Sequence, residues 1–150
     1  MKKIATPTTS FKNELEYKGI SIIYLQAKGY MMQAHEDSNS KFIADLSFSG
    51  MCVDGWIEVK WCAKAPKTVG SIEHWTKGQE EWLRLRGQQG SGHCYLLVGT
   101  PIRHVLWKWN MLPTVRDVQW EKACSFAEVD EPDLKAFADR FWRRVRIRGG

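Results

Sequence analysis

The stretch FIADLSFSGMCVDGWIEVKWC, residues 42–62, decides the fold because it carries the alternation of two neighbouring β-strands. In its first half, apolar side chains alternate with polar ones, and Asp45 is one of the polar positions. Two turn-forming pairs, Ser49-Gly50 and Asp54-Gly55, then precede a second alternating half. The pattern predicts two strands joined by a Gly-containing connection. The apolar positions of the first strand are Phe42, Ala44, Leu46 and Phe48.

The second strand carries its charged side chains on one face. Side chains alternate along a strand, so Glu58 and Lys60 share a face with Trp56 and Cys62. They stand about 7 Å apart, because a strand rises about 3.3 Å per residue. If the two strands pair as a hairpin, Asp45 comes close to both. The opposite face then carries Ile57, Val59 and Trp61.

Two carboxylates and an amine on one patch of sheet have a chemical use. The carboxylates make a hard oxygen site suited to Mg²⁺ or Mn²⁺. Such an ion polarises a phosphate oxygen and lowers the pKa of water, and a neighbouring ammonium stabilises the charge that develops. The alternative is an exposed strand face with an ordinary Glu–Lys pair.

Composition indicates a soluble globular protein that we expect to form one domain. The 150 residues are 43% hydrophobic and 26% charged. No apolar run approaches the ~20 residues of a membrane span, so we expect no membrane association. The start of the sequence lacks the apolar segment of a secretory signal. The four cysteines form no C-x-x-C pair, which favours free buried thiols over zinc ligands or disulfides and predicts an intracellular, cytoplasmic protein.

The net charge of +5 and pI of about 9.1 suit a polyanionic partner. The surplus is concentrated in residues 131–150, which hold six basic and three acidic side chains. Eight tryptophans are many for this length, and some of them are candidates for stacking on bases.

Helical periodicity predicts a first helix over about residues 11–28, capped by Thr9 or Ser10 and closed by Gly29. Its expected apolar stripe is Phe11, Leu15, Ile22 and Leu25. Within it, Glu14 and Lys18 have the spacing of a surface ion pair. A short strand at residues 30–34 and a solvated loop at residues 35–40 follow.

A second helix is predicted from Thr76 to about Gln89, ending at Gly90. Thr76 and Gln79 have capping-box spacing, which explains the glutamine structurally; alternatively, Gln79 points back at the carboxylates. The apolar run at residues 93–99 predicts a buried strand, parallel to the central hairpin. A further strand at residues 105–109 and a helix beginning near Pro132 follow. The stripe of that helix is Leu134, Phe137, Phe141 and Val145. Residues 110–130 have no clear assignment.

With these elements in order, the chain resembles the PD-(D/E)XK nuclease superfamily. Within that superfamily it resembles the virus-type replication–repair nuclease (VRR-NUC) domain, in its phage-like stand-alone form. The motifs are GWIEVK at residues 55–60 and TKGQEEWL at residues 76–83, in the family's order. The resemblance covers about residues 11–110 and leaves 111–150 as an extension. It implies an α/β, restriction-endonuclease-like mixed sheet flanked by helices, with an αβββαβ core, followed here by a basic C-terminal helix.

The resemblance also implies roles for individual residues. Asp45, Glu58 and the Val59 carbonyl would hold the Mg²⁺ or Mn²⁺, and Lys60 would orient the attacking water or stabilise the transition state. Gln79 would support the site. Glu14 would complete it, with Glu16 as the alternative. Ala44 stands where the superfamily has the proline of its name, a residue that sets a backbone bend and carries no chemistry.

The implied activity is a metal-dependent endonuclease that hydrolyses DNA phosphodiesters, with branched or structured DNA as substrate and a homodimer as a suitable assembly. A non-catalytic nucleic-acid-binding module on a nuclease fold and a protein-binding adaptor are the alternatives. Basic side chains in two segments are the expected contacts to the DNA backbone. These are Lys64, Lys67, Lys77, Arg140, Arg143 and Arg144.

Overall fold

A six-stranded mixed sheet organises the protein in a computed structural model, which describes residues 11–35 and 43–146. The strands lie in the sheet in chain order, and the third and fourth are parallel while the other neighbours are antiparallel. The predicted parallel pairing is therefore confirmed. The strands are β1 Met31–Ala34, β2 Leu46–Gly50, β3 Val53–Trp61, β4 Cys94–Thr100, β5 Arg103–Lys108 and β6 Val129–Glu131.

Helices cover both faces of this sheet. On one face, α1 and α5 pack against a core that includes Ile57 and Val59 of β3. On the other, α2 and two short helices pack against a core that includes Leu96 and Val98 of β4. The α/β order of helix, three strands, helix and strand is as predicted. The helices are α1 Glu14–Ala27, α2 Lys77–Gln89, α3 Leu112–Val115, α4 Trp120–Cys124 and α5 Leu134–Arg144.

The turn of the central hairpin comes before Asp54-Gly55, the second of the two turn-forming pairs in the sequence. Met51 and Cys52 form the connection with φ of 53° and 65°, values that L-residues rarely adopt. The predicted turn at Asp54-Gly55 is wrong, because both residues lie within β3. Gly55 is needed there for close approach, since a Cβ would stand 1.9 Å from the His93 carbonyl oxygen. Phe42 lies outside the described residues.

The first helix begins at Glu14, and its N-cap is Asn13, whose side chain accepts from the Glu16 N–H. The predicted caps, Thr9 and Ser10, lie outside the described residues. The predicted stripe is wrong at Leu15, which is 63% exposed. Tyr17 is the side chain of this helix turn that lies in the core, where its hydroxyl is hydrogen-bonded to the buried His104 at 2.7 Å.

The C-terminal segment completes the sheet. β6 pairs with β5, and the predicted stripe of α5 is buried throughout. Asp133 caps α5, so Pro132 lies just before the helix and does not begin it. The residues without a clear assignment form α3, α4 and the start of β6, packed mainly through Leu112, Val115 and Trp120.

All four cysteines are free thiols, as predicted, and Cys94 and Cys124 are buried. The predicted burial is wrong at Cys52, which is exposed at the hairpin turn. Among the residues described, no helix has both the length and the apolarity to cross a bilayer.

Candidate active site

The candidate site lies where β2 and β3 separate. Their pairing ends at Leu46 and Ile57, and Asp45 makes the next two hydrogen bonds with β3. The Val59 N–H donates to Asp45 Oδ2 at 3.0 Å, and the Asp45 N–H donates to Glu58 Oε1 at 3.3 Å. The hairpin therefore brings the two predicted carboxylates together.

Lys60 lies on the same face as Glu58. Its Nζ is 3.2 Å from Glu58 Oε2 and donates to the His74 carbonyl at 2.9 Å. Each of the two side chains is 3% exposed. Buried charges of this kind require partners, and here each is the other's counter-ion.

Burial dominates the electrostatics of Glu58. The pKa of Glu58 is raised to about 8: removal from water is the largest cause, the negative charge of Asp45 adds to it, and the ammonium of Lys60 opposes both. A buried carboxylate with a strongly raised pKa beside a specific charged partner is characteristic of functional sites.

Gln79 plays both of the roles that its position suggested. Its Oε1 accepts from the Thr76 N–H at 2.9 Å, which forms the capping box of α2. Its Nε2 donates to Glu58 Oε2 at 3.1 Å. The cap and the contact with the carboxylate thus use opposite ends of one amide group.

Two side chains of α1 reach the same place. Glu14 Oε2 is 4.0 Å from Lys60 Nζ, and Lys18 Nζ is 3.9 Å from Asp45 Oδ1. The alternative of a plain surface pair does not describe Glu14 and Lys18, since each lies near a residue of the candidate site. Burial raises the pKa of Glu14, and the charge of Lys60 opposes this shift. Of the two glutamates considered, Glu16 is exposed and accepts instead from the Lys12 N–H.

The donor set fits a hard divalent cation. Trp56 and Cys62 direct their N–H groups at β4, and backbone groups alternate sides along a strand. The Val59 carbonyl therefore points to the edge where Asp45 lies, beside the carboxylates. Within residues 11–35 and 43–146, no group of three or more His, Cys, Asp or Glu side chains is arranged to hold a metal. Two carboxylates and a carbonyl, completed by water, are nonetheless a usual set for Mg²⁺.

The basic residues expected to contact DNA fall on both sides of the sheet. Lys64, Lys67 and Lys77 are exposed after β3 and at the start of α2, whose side of the sheet holds Glu58 and Lys60. The arginines of α5 lie on the other side, where two of them face acidic residues. Arg140 is 3.5 Å from Glu131, Arg144 is 3.9 Å from Glu128, and Arg143 is exposed.

Two groups that contact the candidate site were not identified from the sequence: the Lys18 ammonium and the His74 carbonyl. Lys18 had a signal, because it lies four residues after Glu14, but that spacing was interpreted as a solvent-facing pair. The His74 carbonyl had no signal. This carbonyl accepts a hydrogen bond from Lys60. His74 has a φ of 65°, and no residue type near it in the sequence predicts that conformation.

The sheet and its helices define an α/β restriction-endonuclease-like fold. No known family's sequence pattern matches the chain, and neither does any curated protein. Among solved structures, it is similar to Hjc, a Holliday junction resolvase from the archaeal hyperthermophile Archaeoglobus fulgidus. The TM-score is 0.60 at 14% identity, covering 83% of this chain and 98% of that chain. That resolvase is a member of the PD-(D/E)XK superfamily. At this identity the likeness establishes the fold, and it leaves the activity to be argued from the site.

Proposed function

We propose that the protein is a Mg²⁺- or Mn²⁺-dependent DNA endonuclease of the PD-(D/E)XK type and that it resembles the VRR-NUC domain within that superfamily. One observation carries the proposal: Asp45, Glu58, Lys60 and Gln79 are joined by direct contacts at the end of the β2–β3 pairing. Paired carboxylates beside a buried lysine suit phosphodiester hydrolysis.

The carboxylates of Asp45 and Glu58, with the Val59 carbonyl, would hold the cation. When bound, the ion supplies a Lewis acid that polarises the phosphate and makes water more acidic. Asp45 keeps Oδ2 on the Val59 N–H, and this bond holds the carboxylate at the strand edge. Glu58 keeps its orientation through three partners: Asp45, Lys60 and Gln79.

Lys60 has the position of a group that orients the nucleophile. Its ammonium is 3.2 Å from Glu58 Oε2, so a phosphate attracted by a cation at the carboxylates would come within its reach. There it would donate a hydrogen bond to the attacking water or to a non-bridging phosphate oxygen. Glu14, 4.0 Å from the same ammonium, would balance the charge of Lys60.

Branched or structured DNA is the substrate we propose. Support comes from the similar structure, which is a Holliday junction resolvase, and from the net charge of +5. Lys64, Lys67 and Lys77 would contact the DNA backbone near the site. A homodimer would present two such sites to a junction, and we propose it as the active assembly.

The test incubates the purified full-length chain with Mn²⁺ or Mg²⁺ and a panel of linear, flapped and four-way DNAs. We expect cutting of the branched forms. Glu58→Ala and Lys60→Ala should abolish cutting while binding persists; the matched controls are the exposed residues in Glu73→Ala and Lys122→Ala. Binding without cutting by wild type would indicate a non-catalytic module. No DNA binding at moderate salt would indicate a protein-binding adaptor.

A further inference from the structure

A cavity of about 500 Å³ opens beside the candidate site, on the face of the sheet that holds Glu58 and Lys60. It lies between α2 and the strands β1, β2 and β3. Its volume falls within the range of about 300–1,000 Å³ of small-molecule pockets. The residues that matter here are Gln33, Ser47, Trp56 and Arg86, which are among those lining it.

The cavity exists because helices cover only part of this face. α2 shields Trp56 of β3, whereas β1 and β2 extend beyond the helix. Gln33, Ser47 and Trp56 are successive cross-strand partners and therefore form one row across the three strands. Along this row the side chains change from the exposed, polar Gln33 on β1 to the aromatic Trp56 beside α2.

An aromatic and cationic wall, formed by Trp56 and Arg86, lines the cavity on its helix side; Trp82 packs against Trp56 but does not line the cavity. The rings of Trp56 and Trp82 meet edge to face at 5.0 Å. The guanidinium of Arg86 lies over both, 5.6 Å and 5.0 Å from their centroids. Aromatic faces beside a cation are how proteins hold unpaired bases: the ring stacks on the base, and the cation attracts the phosphate.

The wall continues directly from the candidate site. Gln79, Trp82 and Arg86 are spaced i, i+3 and i+7, so they share one face of α2. On β3, Trp56 precedes Glu58 by two positions on the same face, about 7 Å away. α2 runs antiparallel to β3, since Gln79 meets Glu58 and Arg86 meets Trp56. The carboxylates and the cavity thus lie along the same facing rows of β3 and α2 residues.

We infer that the cavity receives an unpaired nucleotide next to the scissile phosphate, which makes DNA with a single-stranded segment at the cut the substrate class. This inference rests on the proposed function. A strand whose phosphate sits at Asp45 and Glu58 passes its neighbouring nucleotide over Trp56. Within a duplex that base is stacked and paired, and its release requires breaking both the stacking and the pairing. A nucleotide in a flap or an open junction enters without this cost.

Binding without metal tests the inference independently of cutting. The probe is an oligonucleotide of about 12 nucleotides containing 2-aminopurine, used single-stranded and as a duplex, with the full-length chain in EDTA. We expect Arg86→Ala and Trp56→Ala to weaken single-strand binding about tenfold and duplex binding less than twofold. Arg86 is exposed, so its variant should fold normally, as thermal melting will verify.

The opposite face of the sheet offers a matched control. There Arg146 lies over the ring of half-buried Trp142, 4.7 Å from its centroid, far from the cavity. Arg146→Ala and Trp142→Ala should leave single-strand binding unchanged. Equal affinities of wild type, Arg86→Ala and Trp56→Ala for the single strand would overturn the inference. Wild type that binds the single strand as expected but cuts no DNA with Mn²⁺ would contradict the proposed function alone.

Discussion

Gln79 donates its side-chain N–H to Glu58 Oε2 at 3.1 Å while its other end caps α2. Because the capping box fixes which end of the amide faces outwards, the orientation of the donor toward Glu58 follows from the folding of the helix. The candidate site and the start of α2 therefore share one side chain.

Replacing Gln79 by glutamate separates these two roles. Gln79→Glu retains a capping acceptor but loses the donor and places a second carboxylate beside Glu58, so we expect cutting to fall by about 100-fold or more. Thr76→Ala removes the other half of the cap and should cost about 1 kcal/mol of unfolding free energy, with a smaller loss of rate. Single-turnover cutting and urea unfolding measure the two effects. Equal losses of rate in both variants would show that Gln79 acts through the helix alone.

The buried pair of Glu58 and Lys60 predicts a non-additive result. Lys60→Met leaves Glu58 buried without its counter-ion and should destabilise the protein by about 3 kcal/mol. Glu58→Gln combined with Lys60→Met removes both charges, and we expect this double variant to be more stable than Lys60→Met. Urea unfolding of Glu58→Gln, Lys60→Met and the double variant at about pH 9, above the pKa of Glu58, measures the coupling, and none of them should cut DNA. Additive destabilisation would mean that the pair contributes no mutual stabilisation.

Two glycines predict opposite effects of the same substitution. Gly55→Ala places a Cβ against the His93 carbonyl oxygen and the Phe48 ring, so we expect a loss of about 3 kcal/mol or more. Gly19 lies in α1 with no atom within 4 Å of the added Cβ, and Gly19→Ala should stabilise by up to about 1 kcal/mol. Thermal unfolding compares them. A stable Gly55→Ala protein would contradict the close approach of β3 to the start of β4.

His104 predicts a pH dependence of stability. Burial lowers its pKa to about 4, and the negative charge of Asp133 opposes this only in part. The unfolded chain takes up the proton near pH 6.5, so stability should fall by up to about 3 kcal/mol as pH decreases from 6.5 to 4. His104→Phe lacks this titration. Its stability relative to wild type should therefore rise as pH falls through that window in urea unfolding. Parallel curves for the two proteins would show that His104 does not titrate differently on folding.

The arginines of α5 predict a salt effect. Arg143→Ala with Arg144→Ala should lower DNA affinity irrespective of sequence and reduce the slope of log affinity against log salt by about two. Because α5 lies on the face opposite Glu58, we expect a larger loss on four-way DNA than on a short duplex. An unchanged slope would place the backbone contacts elsewhere, with Lys64, Lys67 and Lys77 as the remaining candidates.

The sequence was sufficient to predict that Asp45, Glu58 and Lys60 lie close together in the candidate site, because side chains alternate strictly along a strand. Placing Glu58 and Lys60 on one face followed from their spacing, and the hairpin then had to bring Asp45 near them. The capping-box spacing of Thr76 and Gln79 likewise has one local solution. These features depend on contacts that are short-range or fixed by pairing.

Features set by tertiary packing were not predictable in the same way. Leu15 has helical spacing and a large apolar side chain, yet it is exposed. Tyr17 lies in the core instead, where its hydroxyl is hydrogen-bonded to His104 of β5. The positive φ of Met51, Cys52 and His74 was equally hidden, since these residue types give no signal for it. Lys18 faces Asp45 only because α1 packs at a particular rotation on β3.

The hairpin turn provides a practical handle for following the protein in solution. Cys52 is exposed there, whereas burial raises the pKa of Cys62 and Cys94 to about 11 and that of Cys124 to about 12. Because thiolates are the reactive form, a maleimide dye at neutral pH will label Cys52 first. A single fluorophore attached without mutation, at the opposite end of β3 from the carboxylates, would report distances to a labelled DNA arm by energy transfer.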